Sequence, residues 1–119
     1  MKYSDQQLVQ KLSDFRKLPR ETEWLEFKEA KRTFYFQELG KYFSALSNEA
    51  QLQSVDCGWL ILGVENKNKK IVGTAYRQGC SIDGLKHDIA QHVTGNISFI
   101  EIYELTLPEG RVLMFQIPP

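Results

Sequence analysis

Basic residues gather in two stretches whose spacing suits phosphate binding. Lys28, Lys31, Arg32 and Lys41 surround one apolar-periodic segment, and Lys67, Lys69, Lys70 and Arg77 fall within Asn66–Arg77, a stretch without an acid. Lysines on a turn reach phosphates without reading bases, so such binding is sequence-tolerant and steeply salt-dependent. About four phosphate contacts would give a log–log salt slope of about −3.6 on duplex DNA. Upstream, Trp24, Glu26 and Lys28 alternate with Leu25 and Phe27, which puts a ring, a carboxylate and an ammonium on one face of a strand. Trp24 could stack on a base there, or pack as an aromatic beneath a helix. The bland reading of Glu26 and Lys28 is a same-face pair worth about 0–1 kcal/mol when exposed.

Other chemistry-bearing residues form less complete patterns. His87, Asp88 and His92 share a helical segment, and Asp88 with His92 has the i, i+4 spacing of a metal pair. They lack a third ligand and an H-E-x-x-H arrangement, so an exposed polar face is the expected role. Gly63 and Gly73 form no phosphate-binding loop before a helix. Cys57 and Cys80 are too few for a disulfide framework or a four-ligand zinc site, and Cys57 sits in an apolar run as an inert core residue would. Asn96-Ile97-Ser98 has the form of a glycosylation acceptor but follows no secretory signal.

The elements that must position these residues follow from periodicity. Ser4 and Gln7 make a capping box, and Leu8, Val9, Leu12 and Phe15 give the first helix an apolar side that ends before Pro19. A strand over Glu23–Lys28 precedes a second helix with Phe36, Leu39, Phe43 and Leu46 on one side and Lys41 on another. Cys57–Val64 is nearly all apolar, as a central strand covered on both faces would be. A turn at Asn66–Lys69 leads to a short returning strand at Ile71-Val72. Ser81 then caps a third helix that turns Ile82, Leu85, Ile89 and Val93 inward and ends at Gly95. Strands from about Ser98 to Thr106 and from about Arg111 to Ile117 form a hairpin through Pro108-Glu109-Gly110. The predicted fold class is α+β, a mixed β-sheet with packed helices in the order α-β-α-β-β-α-β-β.

Length and composition bound the rest. The 119 residues suit one domain, and 42% hydrophobic with 12% aromatic residues supplies a core rather than a disordered chain. Fifteen cations balance fifteen acids, which argues against a strong nonspecific nucleic-acid binder. Charge is uneven, however: Ser98–Gly110 holds Glu101, Glu104 and Glu109 without a base, opposite in sign to Asn66–Arg77. No apolar run approaches the length of a membrane helix, and residues 1–20 alternate polar and apolar unlike a signal peptide, so a reducing cytoplasm is the expected location. Pro118-Pro119 directly after a strand suggests a domain edge. Residues 1–119 are thus expected to be a single domain, the N-terminal part of a longer protein.

Four segments together carry a family resemblance: Glu21-Thr22-Glu23-Trp24-Leu25-Glu26-Phe27-Lys28, Phe43-Ser44-Ala45-Leu46-Ser47-Asn48, Gly58-Trp59-Leu60-Ile61-Leu62-Gly63-Val64-Glu65, and Ile71-Val72-Gly73. In order and spacing they resemble the Schlafen AlbA-type DNA-binding domain. That family shows E-x(4)-E-F-K, a helix ending like A-F-A-N, a glycine-rich strand ending in an acid, and I-x-G after a turn. The resemblance implies a nucleic-acid-binding module at the N-terminus of bacterial transcriptional regulators and RecG-like helicase relatives. It further implies, through the RNA-cleaving Schlafen branch, a metal-dependent trio of acids at Glu21, Glu26 and Glu65 with Lys28 beside them. The third position is usually Asp. One departure stands out: the short N-T-x-G-G turn of the family is replaced by Glu49–Cys57 before Gly58, with Cys57 in place of the first glycine. If that backbone approaches a ligand, the site is altered.

Three readings follow. The first is a noncatalytic module that binds DNA or RNA, duplex DNA foremost, through a basic rim and needs no cofactor. The second is a divalent-metal ribonuclease, with Mg²⁺ or Mn²⁺ held by Glu21, Glu26 and Glu65 to polarise phosphate and activate water. In a straight strand Glu21 would face away from Glu26, so it joins only if the chain bends near Thr22 or the strand begins later. The third is an interaction module whose final hairpin pairs with a second copy as a homodimer. Zero net charge favours the third over the first, and the resemblance favours the first.

Overall fold

The computed structural model describes residues 3–18, 22–29, 36–76, 79, 81–92 and 101–119. Its elements are α1 (Asp5–Arg16), β1 (Leu25–Lys28), α2 (Phe36–Leu52), β2 (Gly58–Leu62), α3 (Ile82–His92), β3 (Glu101–Leu107) and β4 (Gly110–Ile117). The strands form one mixed sheet in the order β1-β2-β4-β3, with β1 parallel to β2 and the other pairs antiparallel. The α+β class is as expected. The segments at Val93–Gly95 and Asn96–Ser98, Cys80 and the side chains of Phe36 and His92 lie outside the described residues.

β2 is buried at all five positions, and its alternation divides the core in two. Leu60 and Leu62 join Leu39, Phe43 and Leu46 of α2, Leu85 and Ile89 of α3, and Leu113, Phe115 and Ile117 of β4. Trp59 and Ile61 face the other way, toward Leu8, Leu12 and Phe15 of α1, with Phe27 and Met114 beside them. Leu8, Leu12 and Phe15 stand at i, i+4 and i+7, which defines the buried stripe; Val9 falls outside it and is exposed, contrary to expectation. Both halves of the Ser4–Gln7 capping box form. At α3, Ser81 Oγ accepts from the Gly84 amide at 3.0 Å as a helix cap.

The expected strand at Ile71-Val72 is reduced to a single bridge between Val64 and Ile71. The chain bends at Gly63, and the amides of both Val72 and Gly73 turn onto its carbonyl at 2.8 and 2.9 Å instead of continuing a ladder. Gly73, at φ +82°, then crosses the start of β4 so closely that a Cβ there would lie 3.3 Å from Gly110 Cα. β1 is likewise shorter than expected. The Leu25 amide bonds back to Thr22 O, so Glu23 and Trp24 belong to a turn and not to the strand.

The lengthened Glu49–Cys57 connection also finds its place. Glu49–Leu52 are the last turn of α2, with Ala50 fully buried, and Val55 N closes onto Ala50 O at 3.0 Å. A Cβ on Gly58 would sit 2.7 Å from Leu46 O. The close approach at this glycine is therefore made by α2 itself.

Arg111 fastens the loop that follows this crossing. Its Nη1 donates to Thr74 O at 3.0 Å and to Tyr76 O at 2.9 Å, and its Nε donates to Glu104. The side chain is 9% exposed. Charge-assisted bonds of this kind contribute about 1.5–3 kcal/mol each, and truncation leaves the carbonyls bare. Arg111→Met should lower the urea unfolding free energy by about 3 kcal/mol, whereas a loss within about 0.5 kcal/mol would show the loop held by packing alone.

Candidate functional site

Parallel pairing brings the C-terminal ends of β1 and β2 together, since Lys28 is in register with Leu62 and Gly63 N donates to Lys28 O at 2.8 Å. Lys28 ends one strand, and the turn from Glu65 to Lys70 follows the other. Lys28 Nζ lies 4.0 Å from Glu26 Oε1 and 5.3 Å from the centre of the Tyr42 ring on α2. A hydrogen bond with the Tyr42 hydroxyl holds the ammonium above its ordinary value, opposed by partial burial and aided by the charges of Glu26 and Glu38. Trp24 does not share this face. It packs edge-on against Phe15 of α1, ring centres 5.7 Å apart, because it precedes the strand in a turn.

The turn lysines divide by role. Lys67 and Lys70 are exposed, as is Lys41 on α2, and none forms an ion pair among the described residues. Lys69 adopts φ +57° and folds its ammonium back onto the carbonyl and Oδ1 of Asn66, above the Phe27 ring at 5.1 Å. Its carbonyl accepts from Arg16 Nε at 2.6 Å. Lys69 thus organises the turn. Through that contact α1 delivers Arg16 and the exposed Lys17 to the same end of the molecule, which was missed from sequence because nothing local links residues 53 apart. Lys31, Arg32 and Arg77 lie outside the described residues.

The acids are engaged separately. Glu26 faces Lys28, whereas Glu65 Oε1 accepts from Asn68 Nδ2 at 2.9 Å within the turn. Glu21 lies outside the described residues, and among those described no three His, Cys, Asp or Glu side chains converge as metal ligands. The donors in view do not by themselves make a divalent-metal site. A different pair of acids meets instead: contact with Glu23 raises the Glu49 carboxyl above its ordinary value. Between the end of α1, β1 and the turn lies a cavity of about 40 Å³ bordered by Glu26, Asn66 and Lys69. Thr22 also lines it, and Thr22 Oγ1 has no hydrogen-bond partner among the described residues, a setting that suits ordered water. The acidic stretch opposite is partly neutralised, Glu101 by Lys86 at 2.8 Å and Glu104 by Arg111.

Comparison with known families gives a match to the Schlafen AlbA_2 model over residues 21–119. The chain belongs to the Schlafen AlbA_2 family. A similar solved structure is the NMR structure of the N-terminal domain of an ATP-dependent DNA helicase RecG-related protein from Nitrosomonas europaea. It shows 20% identity and a TM-score of 0.56 over 98% of this chain and 74% of that one. The crystal structure of the DIP2311 protein from Corynebacterium diphtheriae is similar at 19% identity and a TM-score of 0.51, over 95% of this chain and 22% of that one. A search of curated proteins gave no match. At these identities the likeness is one of fold. The family match begins after α1, so Arg16 and Lys17 come from a helix outside the matched segment of this Schlafen AlbA_2 domain. No helix among the described residues is long and apolar enough to cross a membrane.

Because the folded ammonium of Lys28 titrates above the ordinary value of 10.5, its contribution is complete below that pH and is lost as pH rises through the folded value. The melting-temperature difference between wild type and Lys28→Met should be constant from about pH 7 to about pH 9.5 and narrow above about pH 10.5. A difference that persists into that alkaline range would assign the effect to the packing of the lysine stem.

Proposed function

We propose that this Schlafen AlbA_2 domain binds nucleic acid, DNA foremost, by neutralising phosphates along a basic rim at the C-terminal ends of β1 and β2. The observation that carries this reading is the juxtaposition of Lys28 with the turn bearing exposed Lys67 and Lys70. Lys41 extends the rim along α2, and Lys31, Arg32 and Arg77, the other candidate cations of the sequence, lie outside the described residues. Lys69 contributes by shaping the turn. Contacts of this type position a backbone without reading bases, so specificity comes from elsewhere in the protein. Family membership and the likeness to the N-terminal domain of a RecG-related protein support a nucleic-acid role. We further propose that the domain stands at the front of a larger, cytoplasmic transcriptional regulator, a placement that matches the N-terminal position of the similar domain in the RecG-related protein.

Fluorescence anisotropy with labelled duplex DNA over a salt series tests this. Lys67→Glu with Lys70→Glu should weaken binding and reduce the magnitude of the log–log salt slope by about 1.8. Lys69→Glu should mainly lower the melting temperature. Equal affinity and slope in wild type and the double variant would remove the turn from the interface. Parallel incubation of duplex DNA and a structured RNA with Mn²⁺ or with EDTA separates binding from cleavage. Intact strands in both are expected, and RNA cut only in Mn²⁺ would transfer the reading to a nuclease using Glu21, Glu26 and Glu65.

A further inference from the structure

A second pocket lies at the opposite end of β2 from the basic rim, where Asp56 precedes the strand. Its walls are the rings of Tyr3, Phe15, Trp24 and Trp59, with Lys11 and Asp56 as its charged members. The rings brace one another. Phe15 stands 5.7 Å from both Trp24 and Trp59, and Tyr3 stands 5.9 Å from Trp59. Tyr3 N donates to Tyr103 Oη at 3.3 Å, and that hydroxyl donates to the buried Gln116 at 2.8 Å, which fixes the outer wall. Lys11 Nζ rests over three of these rings, 4.6, 5.8 and 6.0 Å from the centres of Tyr3, Trp59 and Phe15, so this partly exposed side chain swings aside when an occupant enters.

We propose that this pocket takes an unpaired pyrimidine base of a single-stranded nucleic acid. The proposal rests on the nucleic-acid reading above and adds a contact separate from the rim. Size favours the smaller base: the pocket, open to solvent on one side, is about 150 Å³, comparable to an apolar cavity that accepts one benzene-sized ring, so a pyrimidine seats more fully in it than a fused purine. Chemistry agrees with size. The half-buried rings of Tyr3 and Trp24 supply stacking surface above the buried Phe15 and Trp59, the Lys11 ammonium suits the phosphate next to the stacked base, and the exposed Asp56 carboxylate can accept a base N–H. Five residues of β2 separate the pocket from the rim, about 16 Å at about 3.3 Å per residue, a span a few unstacked nucleotides can bridge. A duplex would engage the rim alone.

Trp24 and Trp59 are the only tryptophans of the chain, so intrinsic fluorescence reports on this pocket directly. Short oligothymidine should quench tryptophan emission saturably, while oligoadenine of equal length and duplex DNA should bind with little quenching. Lys11→Gln, a change at the surface, should weaken oligothymidine binding about fivefold, and Trp24→Leu should weaken it about tenfold, with circular dichroism confirming unchanged folds. Lys67→Glu with Lys70→Glu should lower affinity without altering the quench at saturation. Oligothymidine that shifts the protein on a gel with tryptophan emission unchanged, or quenching equal with oligoadenine, would overturn the pocket and leave the rim standing. Failure of every strand and duplex to bind would overturn both.

Discussion

A strand that is apolar along its whole length and flanked by strands on both sides can be stable only if both of its faces are covered. β2 is that strand here. Its burial requires α1 on one face and α2 with α3 on the other, and each helix has the apolar stripe its side needs. The same requirement removes chemistry from the middle of the sheet. Along β2 itself, the described polar groups that can meet a ligand stand before Gly58 or after Leu62, so both ends of the strand become places where function can reside.

At the far end of β2 the backbone has little freedom. Gly63 turns the chain out of the sheet, Lys69 in a left-handed conformation closes the turn, and Arg16 grips that turn from α1. The return path crosses β4 at Gly73 and is fastened by Arg111 through two carbonyls. Exposed cations on a turn anchored from three sides lose less entropy on meeting phosphate than cations on a slack loop. The two guanidiniums and the ammonium that do the anchoring hold the backbone from which Lys67 and Lys70 project.

Much of this was legible in the chain because the signals were local. The capping box at Ser4, the apolar run of β2, the hairpin through Pro108 and the stripes of α1, α2 and α3 depend on neighbours a few residues away, and among the described residues they took the expected form except at Val9, which lies outside the α1 stripe. What escaped depends on long-range contact. Trp24 alternates correctly with Leu25 and Phe27 yet belongs to a turn, where the ring of Phe15 decides its side. Ile71-Val72 has strand composition, but two amides competing for Gly63 O leave one bridge. The extra residues before Gly58 look like a disrupted ligand turn in sequence; instead Glu49–Leu52 are the last turn of α2, and the rest close back onto it through the Val55 N to Ala50 O bond. The site was legible as a list of cations and not as an arrangement, since only the fold separates Lys69 from Lys67 and Lys70 and brings Arg16 and Lys17 to join them.

Net neutrality follows the same logic. Fifteen cations against fifteen acids would argue against phosphate binding if the charges were spread evenly. They are not: Glu101 and Glu104 of β3 are held by Lys86 and Arg111, and β3 lies at the sheet edge opposite β1, three strands from Lys28. At strand spacings of about 4.8 Å that separation exceeds a Debye length of about 8 Å at physiological salt. A phosphate near the turn therefore responds to the charges at this end and scarcely at all to Glu101 and Glu104. Those local charges include Glu26 and Glu65 as well as Lys28, Lys67, Lys69 and Lys70, so the relevant charge at the end of the strand is positive.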